Sequence, residues 1–191
     1  MTNASTLVRA ARKSRGLTQK ELAQRTNVDQ GRVSRVESGR EAEFSTVERF
    51  LRSAGHRLYS APTRRDDAAT IAASIRGYLR VGDKYSALRE LIQLNDNLVA
   101  EHGLVRGVLG LAEPEPTGDH AWDAALAGLV ALRLGEENLP FPAWVGDPNR
   151  RIRTPRTLDV DPADPIPGPD DVPAEFLERG VLVWRDTLAS V

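Results

Sequence analysis

Residues 15–40 constrain the fold of this chain more than any other part, because they carry the start and stop signals of two short helices joined by a tight turn. Thr18 and Glu21 have the spacing of a capping box, in which each side chain bonds the backbone of the other at the start of a helix. Gly39 stands where a left-handed residue commonly ends a helix. The apolar positions between these signals recur at helical spacing, at Leu22, Ala23, Val28, Val33 and Val36. The pattern predicts one helix after Thr18 and a second that ends before Gly39.

The second predicted helix, which begins at Asp29 or Gln30, has one polar face. Its long hydrogen-bond donors, Gln30, Arg32 and Arg35, lie on that face near the N-terminus of the helix. Side chains of this kind read base edges when such a helix enters the major groove of DNA. The pattern therefore favours a DNA-binding helix pair, and the alternative is the polar surface of an ordinary α-helical protein.

The spacing of these residues resembles the phage-repressor or Xre-type helix-turn-helix domain, from Leu7 to about Leu58. The matching residues are Leu17-Thr18-Gln19, Glu21-Leu22-Ala23, Val28, Val33-Ser34-Arg35-Val36-Glu37 and Gly39. The resemblance implies a compact bundle of about five helices that binds a double-stranded DNA operator as a homodimer. Because this family commonly joins an arginine of the first helix to a glutamate of the second motif helix, it also implies an ion pair between Arg12 and Glu37.

The resemblance further implies roles for individual side chains. A residue at the position of Gln19 binds a phosphate in this family, and Arg32 is placed either to bind a phosphate or to face a base. The positions of Gln30, Gly31 and Arg35 face bases. The candidate DNA-binding residues are Thr18, Gln19, Asp29, Gln30, Gly31, Arg32, Ser34, Arg35, Ser38 and Arg40.

The sequence departs from the family at two of these positions. Gly31 offers no side chain to a base, and the carboxylate of Asp29 is expected to repel a nearby phosphate. Base reading must then rely on the remaining long side chains, Gln30, Arg32 and Arg35.

The two parts of the chain carry opposite charge. Residues 1–65 hold 14 Lys+Arg and 6 Asp+Glu, a net charge of +8, whereas residues 66–191 hold 12 and 21, a net charge of −9. Such asymmetry indicates a polyanionic partner for the basic part. Neutralisation of phosphates by Lys and Arg supplies most of the non-specific affinity of proteins for DNA.

The sequence predicts an all-α protein with two domains. Residues 1–61 are expected to form the helix-turn-helix domain and residues 62–67 a linker. Residues 68–145 are expected to form a mostly helical domain, and residues 146–191 a Pro/Asp-rich arm followed by a C-terminal docking segment.

Further helices follow from local patterns. Ser45 and Glu48 have capping-box spacing, which predicts that another helix of the first domain begins there. In the second domain, apolar residues at helical spacing predict helices over about 67–80, 85–101 and 124–134. Residues 146–173 hold many prolines and aspartates and are expected to be irregular, either as a solvated linker or as an acidic arm that folds onto a basic partner.

Several classes of function lack the residues they need. With no cysteine there is neither a disulfide nor a thiolate metal site. Asp119, His120 and Asp123 form the one cluster with metal-binding or acid–base character, but acidic residues in the first turn of a helix complement its dipole without any catalytic role. We therefore expect no metal, no cofactor and no catalytic residue, and the chain is not expected to be an enzyme.

Apolar runs are too short for a membrane span, and the N-terminal residues lack the apolar stretch of a signal peptide. We therefore expect no membrane association and a cytoplasmic location.

The C-terminal segment contains large apolar residues, Phe176, Val183 and Trp184. Their exposure to water would be costly, so they are expected to dock either on the preceding helices or on a partner chain. We take these three residues as candidate partner-binding residues.

Three segments of the second domain resemble antitoxins of type II toxin–antitoxin pairs whose toxins are nucleotidyltransferase-like. These segments are the opening at Gly118–Asp123, Pro142-Ala143-Trp144, and the ending from Phe176 to Leu182. The resemblance implies a protein that represses its own operon and neutralises a cognate toxin through its C-terminal region. The alternative is a free-standing transcriptional regulator whose C-terminal domain senses a small ligand, and a catalytic protein with a DNA-targeting domain is a third class.

Overall fold

A computed structural model of the chain describes residues 4–189, which divide between Thr63 and Arg64 into two compact units, residues 4–63 and residues 64–189. The break between them falls inside the 62–67 segment that the sequence predicts as a linker. The outer ends of the predicted domains, residues 1–3 and 190–191, lie outside the described residues. Over residues 4–189 every regular element is helical, and a single β-bridge joins Arg156 to Val181. The prediction of an all-α fold is confirmed.

The described residues of the first unit, 4–63, form four helices around one apolar core. They are α1 (Ala4–Ser14), α2 (Gln19–Thr26), α3 (Gln30–Glu37) and α4 (Phe44–Ser53). The core is built from one apolar stripe of each helix, with Leu22, Val33 and Phe50 fully buried at its centre.

The expectation of about five helices in this unit is wrong by one. After α4 the chain turns at Gly55, whose φ of +73° lies in the left-handed region that favours glycine, and residues 56–63 are irregular.

The predicted capping box of Ser45 and Glu48 is also wrong. Helix α4 begins two residues earlier than this box requires, with Glu43 and not Ser45 as its N-cap, so Ser45 already lies inside the first turn. The Glu48 carboxylate instead pairs with Arg52 at 2.6 Å, one helical turn away.

The second unit is organised around one buried helix. Its helices are α5 (Ala68–Arg80), α6 (Lys84–Ala100), α7 (Gly103–Leu111), α8 (His120–Gly135) and the short α9 (Ala174–Leu177). Nearly every side chain of α8 is buried, because α5, α6, α7 and the C-terminal residues cover it from different sides. Trp122 is 1% exposed and anchors the start of α8 in the core.

The Pro/Asp-rich arm packs on the helices of its own unit, which corrects both sequence expectations for it. Its apolar residues Leu158 and Val172 are buried in the common core. Its acidic residues contact the first turn of α6, since Lys84 Nζ lies 2.5 Å from Asp159 Oδ2 and Tyr85 Oη donates to Asp161 Oδ2 at 3.0 Å. The arm therefore shares one core with residues 68–145 and is not a separate domain.

The C-terminal segment is attached by backbone pairing as well as by apolar burial. Gly180 has a φ of +75°, and a Cβ atom at this position would lie 2.5 Å from the carbonyl oxygen of Ile152. Arg156 N donates to the carbonyl oxygen of Gly180 at 3.0 Å, and Leu182 N donates to that of Arg156 at 2.9 Å. Only glycine fits at position 180, because any other residue would bring its Cβ atom into the backbone of Ile152. None of the described helices is long and apolar enough to cross a membrane.

Candidate nucleic-acid interface

Helix α2 begins with the predicted capping box. The Thr18 amide donates to Glu21 Oε2 at 2.7 Å, and Thr18 Oγ1 accepts from the Glu21 amide at 3.2 Å. The backbone and hydroxyl hydrogen bonds from Thr18 lower the pKa of Glu21, because they stabilise its carboxylate. Asn27 ends the helix in the left-handed conformation, with φ of +53°, and starts the tight turn to α3.

Helix α3 is the predicted recognition helix. Its N-cap is Asp29, whose Oδ1 accepts from the Arg32 amide at 2.8 Å. Its end is marked by Gly39, which adopts a φ of +98° as the sequence predicts. Val33 and Val36 pack in the core, so the opposite side of α3 faces solvent.

A polar network joins the first three helices. Arg12 and Glu37 form the predicted ion pair through two hydrogen bonds, Nε to Oε1 at 2.6 Å and Nη2 to Oε2 at 2.9 Å. Arg12 Nη1 also donates to the carbonyl oxygen of Leu17 at 2.7 Å, and Gln19 Nε2 donates to Glu37 Oε2 at 2.9 Å. The prediction that Arg12 pairs with Glu37 is confirmed. The network ties the start of α2 to the end of α3 and so sets the angle between the two motif helices.

The candidate DNA-binding residues lie on the solvent side of this helix pair. All of them are exposed except Gln19 and Gly31, which are half-buried. Asp29, Arg32, Arg35 and Arg40 border one open groove. Thr18 and Gln19 stand instead at the start of α2, while Gln30, Ser34 and Ser38 are exposed outside the residues that border this groove.

Two acidic residues at this groove were missed by sequence reasoning. Glu41 and Glu43, in the loop between α3 and α4, line the same groove as the arginines. The available signal was their position shortly after Gly39 and next to Arg40, in a loop that the helix-turn-helix pattern does not include.

Within the cluster of Asp119, His120 and Asp123, the two aspartates have structural roles. Asp119 Oδ1 caps α8 by accepting from the Ala121 amide at 2.7 Å, and it also accepts from Arg156 at 2.9 Å. Asp123 Oδ1 accepts from the Thr117 amide at 2.8 Å. Among residues 4–189 no group of three His, Cys, Asp or Glu side chains is arranged to hold a metal ion.

The candidate partner-binding residues divide into buried and half-buried ones. Phe176 is 0% exposed and Val183 6% exposed, both within the core of the second unit. Trp184 is half-buried, and its Nε1 donates to the carbonyl oxygen of Pro165 at 3.3 Å. Of the two docking sites that the sequence left open, the protein's own second unit receives Phe176, which lies against α8, and Val183. Neither is an exposed anchor in this structure, because both are buried in that core.

Comparison with protein families matches residues 8–53 to the family model described as helix-turn-helix. No curated protein and no solved structure matches the chain. The matched range runs from α1 to the end of α4 and contains the whole exposed face described above. The first unit is therefore a helix-turn-helix domain, and the chain is a DNA-binding transcriptional regulator.

Proposed function

We propose that this helix-turn-helix regulator is an antitoxin, which represses its own operon through the first unit and neutralises a cognate toxin through the second. The DNA-binding part of this proposal rests on the exposed face of α3. The Arg12–Glu37–Gln19 network holds that face at a set angle to α2. A rigid helix pair of this kind places the first turns of its second helix in the major groove.

In the proposed complex, Gln30 and Arg35 read bases, while Gln19 and Arg40 bind phosphates at the margins of the helix pair. Such domains bind as dimers to half-sites about one helical turn apart, so the operator is expected to be a palindrome bound by a homodimer. The net charge of +8 on residues 1–65 supplies the attraction to phosphates.

Replacing Arg35 with alanine should weaken binding to the operator by about 1–3 kcal/mol and reduce discrimination among sequences. The loss is expected because Arg35 lies on the exposed face of α3, with 52% of its side chain open to solvent. Gel-shift titrations against the operator and a set of mutated operators measure both effects. Full retention of specificity in the variant would show that Arg35 does not read a base.

Two features of the second unit support the toxin-binding half. The first is charge, since residues 66–191, which are the second unit without Arg64 and Arg65, carry a net charge of −9. A nucleotidyltransferase-like toxin has to attract nucleotide phosphates and therefore presents basic surface to its substrates. An acidic partner is complementary to such a surface, and charge complementarity favours both fast association and specificity.

The second feature is an exposed apolar stripe on α7, formed by Leu104, Val108 and Leu111. These residues recur at helical spacing on one face, and Leu104 is 83% and Leu111 61% exposed. The opposite face of α7 packs closely on α8, because a Cβ atom at Gly110 would lie 2.9 Å from Val130 Cγ1. The stripe therefore points away from the core of its unit, and exposed apolar surface of this kind marks sites of protein interaction. We assign it to the toxin.

Co-expression of the full chain with the product of the adjacent gene tests this proposal. The two proteins should co-purify, and the chain should restore growth of cells that express the toxin. A double variant with Leu104→Asp and Leu111→Lys should lose both effects and keep DNA binding. The new aspartate lies near the N-terminus of α7 and the new lysine at its C-terminus, where each charge interacts favourably with the helix dipole. Helix α7 is therefore expected to stay folded.

A matched control is Ile166→Asp, which places a charge on a side chain that is 71% exposed elsewhere in the same unit. It should still neutralise the toxin. An adjacent gene product that does not bind the wild-type chain would contradict the antitoxin proposal, and full neutralisation by the double variant would contradict the assignment of the stripe.

A further inference from the structure

The guanidinium of Arg35 lies over the first turn of α3 and not beside its own backbone. Its Nη2 atom is 3.7 Å from Oδ1 of Asp29, the N-cap residue. A Cβ atom added at Gly31 would lie 3.2 Å from Arg35 Nη1 and 2.9 Å from Asp29 Oδ1. The guanidinium and the carboxylate therefore occupy the space that a side chain at position 31 would need.

Helix geometry explains why these three residues act together. Side chains in a helix lean toward its N-terminus, so residue 35 covers residue 31, one turn earlier. With glycine at position 31 the guanidinium can reach the first turn without a clash. A cation placed there faces the positive end of the helix dipole, which is unfavourable. The carboxylate of Asp29 offsets that repulsion and holds the guanidinium in place.

We infer that Asp29 is a positioning residue for Arg35, and that Gly31 leaves the space in which Arg35 reads the base pair facing position 31. A guanidinium has five N–H donors, so an ion pair along one edge leaves donors for the O6 and N7 acceptors of a guanine. Both side chains are more than half exposed, at 52% for Arg35 and 68% for Asp29, and are open to a groove of DNA.

The ion pair between Asp29 and Arg35 also lowers the loss of side-chain conformational entropy on DNA binding. Arginine loses much rotamer freedom when it is fixed, and a side chain held near its bound position before binding loses less. The inference rests on DNA binding by the first unit, and it is independent of the toxin-binding half of the proposed function.

A simpler role for Asp29 makes a different prediction. If Asp29 acts only as a helix cap and a negative charge, its carboxylate repels the phosphates of any DNA sequence. It then weakens binding to all sequences by the same factor. As a positioning residue, it changes discrimination at one base pair, the pair that Arg35 reads. The two roles are separated by measuring binding to sequences that differ at single base pairs.

The experiment uses the full-length chain and double-stranded oligonucleotides selected by that chain from a randomised library. Binding of Arg35→Ala to a panel of single-base-pair substitutions identifies the pair that Arg35 reads. Asp29→Asn keeps an N-cap side chain of equal quality and removes the charge. It should reduce discrimination at the same pair by about two- to fivefold, the range expected for loss of an exposed ion pair.

Gly31→Ala tests the space instead of the charge. Alanine is a better helix former than glycine, so α3 is expected to stay folded, but its methyl group displaces both the Asp29 carboxylate and the Arg35 guanidinium from the space that they occupy. Discrimination should fall at the same base pair. Glu41→Gln is the matched control, because it removes one negative charge that borders the same groove. It should raise affinity for all sequences alike.

The outcomes separate this inference from the proposed function. Adding Asp29→Asn to Arg35→Ala should cause no further loss at that pair, because coupled residues are not additive. Unchanged discrimination in Asp29→Asn and Gly31→Ala, or an Arg35→Ala variant that relaxes no base pair, overturns the inference while DNA binding stands. A wild-type chain that selects no sequence overturns both.

Discussion

Replacing Glu37 with alanine should lower the free energy of unfolding of the first unit by about 3 kcal/mol, because the substitution leaves the charge of Arg12 without its partner in a poorly solvated place. The side chains of Glu37 and Arg12 are only 5% and 14% exposed. The same substitution removes the acceptor of Gln19 Nε2, so the start of α2 loses its link to α3 as well.

Hydrogen exchange followed by mass spectrometry is the suitable measurement. All three tryptophans, Trp122, Trp144 and Trp184, belong to the second unit, so their fluorescence does not report on the first. Amides of α1 to α3 should exchange faster in the variant, and those of α8 should not change.

The matched control for this prediction is Glu48→Ala, which breaks the Glu48–Arg52 pair. That pair is exposed and one helical turn apart, with side chains 37% and 56% exposed, so its loss should cost no more than about 0.5 kcal/mol. Equal protection of the first unit in the Glu37 variant and the wild-type chain would contradict a stabilising role for the Arg12–Glu37 pair.

Replacing Phe176 with alanine should destabilise the second unit by about 3–5 kcal/mol, the usual cost of removing a buried phenylalanine ring. The ring is 0% exposed and lies against α8, where a Cβ atom at Gly128 would be 3.2 Å from Phe176 Cγ. The variant leaves a cavity at this contact, since glycine has no side chain with which to fill it. Urea unfolding followed by tryptophan fluorescence measures the loss.

The control is Leu177→Ala, on the same short helix. Leu177 is 37% exposed, so its truncation should cost much less than that of Phe176. DNA binding by the first unit should persist in both variants. A midpoint that is equally shifted in the two variants would argue that the ring is not part of the core.

The start of each motif helix was predictable from sequence because its signals are local. The Thr18–Glu21 capping box spans three residues and closes its hydrogen bonds within one turn, whatever the rest of the chain does. The polar face of α3 was predictable for the same reason, since the spacing of Val33 and Val36 decides which side of a helix is buried. The Arg12–Glu37 pair is a longer-range contact, and it was expected only through the family resemblance.

The wrong prediction of a capping box at the start of α4 also has a physical explanation. Ser45 and Glu48 have the spacing of a capping box, but α4 begins at Phe44, and the Glu48 carboxylate pairs with Arg52. A capping pattern states what two residues are able to do, and the tertiary position of the helix decides whether they do it.

The sequence by itself determined the all-α class, the helix-turn-helix motif and the opposite charges of the two parts, because these depend on residue type and on spacing within a few turns. Only the tertiary structure decided that the Pro/Asp-rich arm docks on α6 and that Phe176 is enclosed beside Gly128. It also decided that the Arg35 guanidinium lies beside Asp29. The first two contacts join segments far apart in the chain, and the third depends on which rotamer a long side chain adopts. No local pattern carries that information.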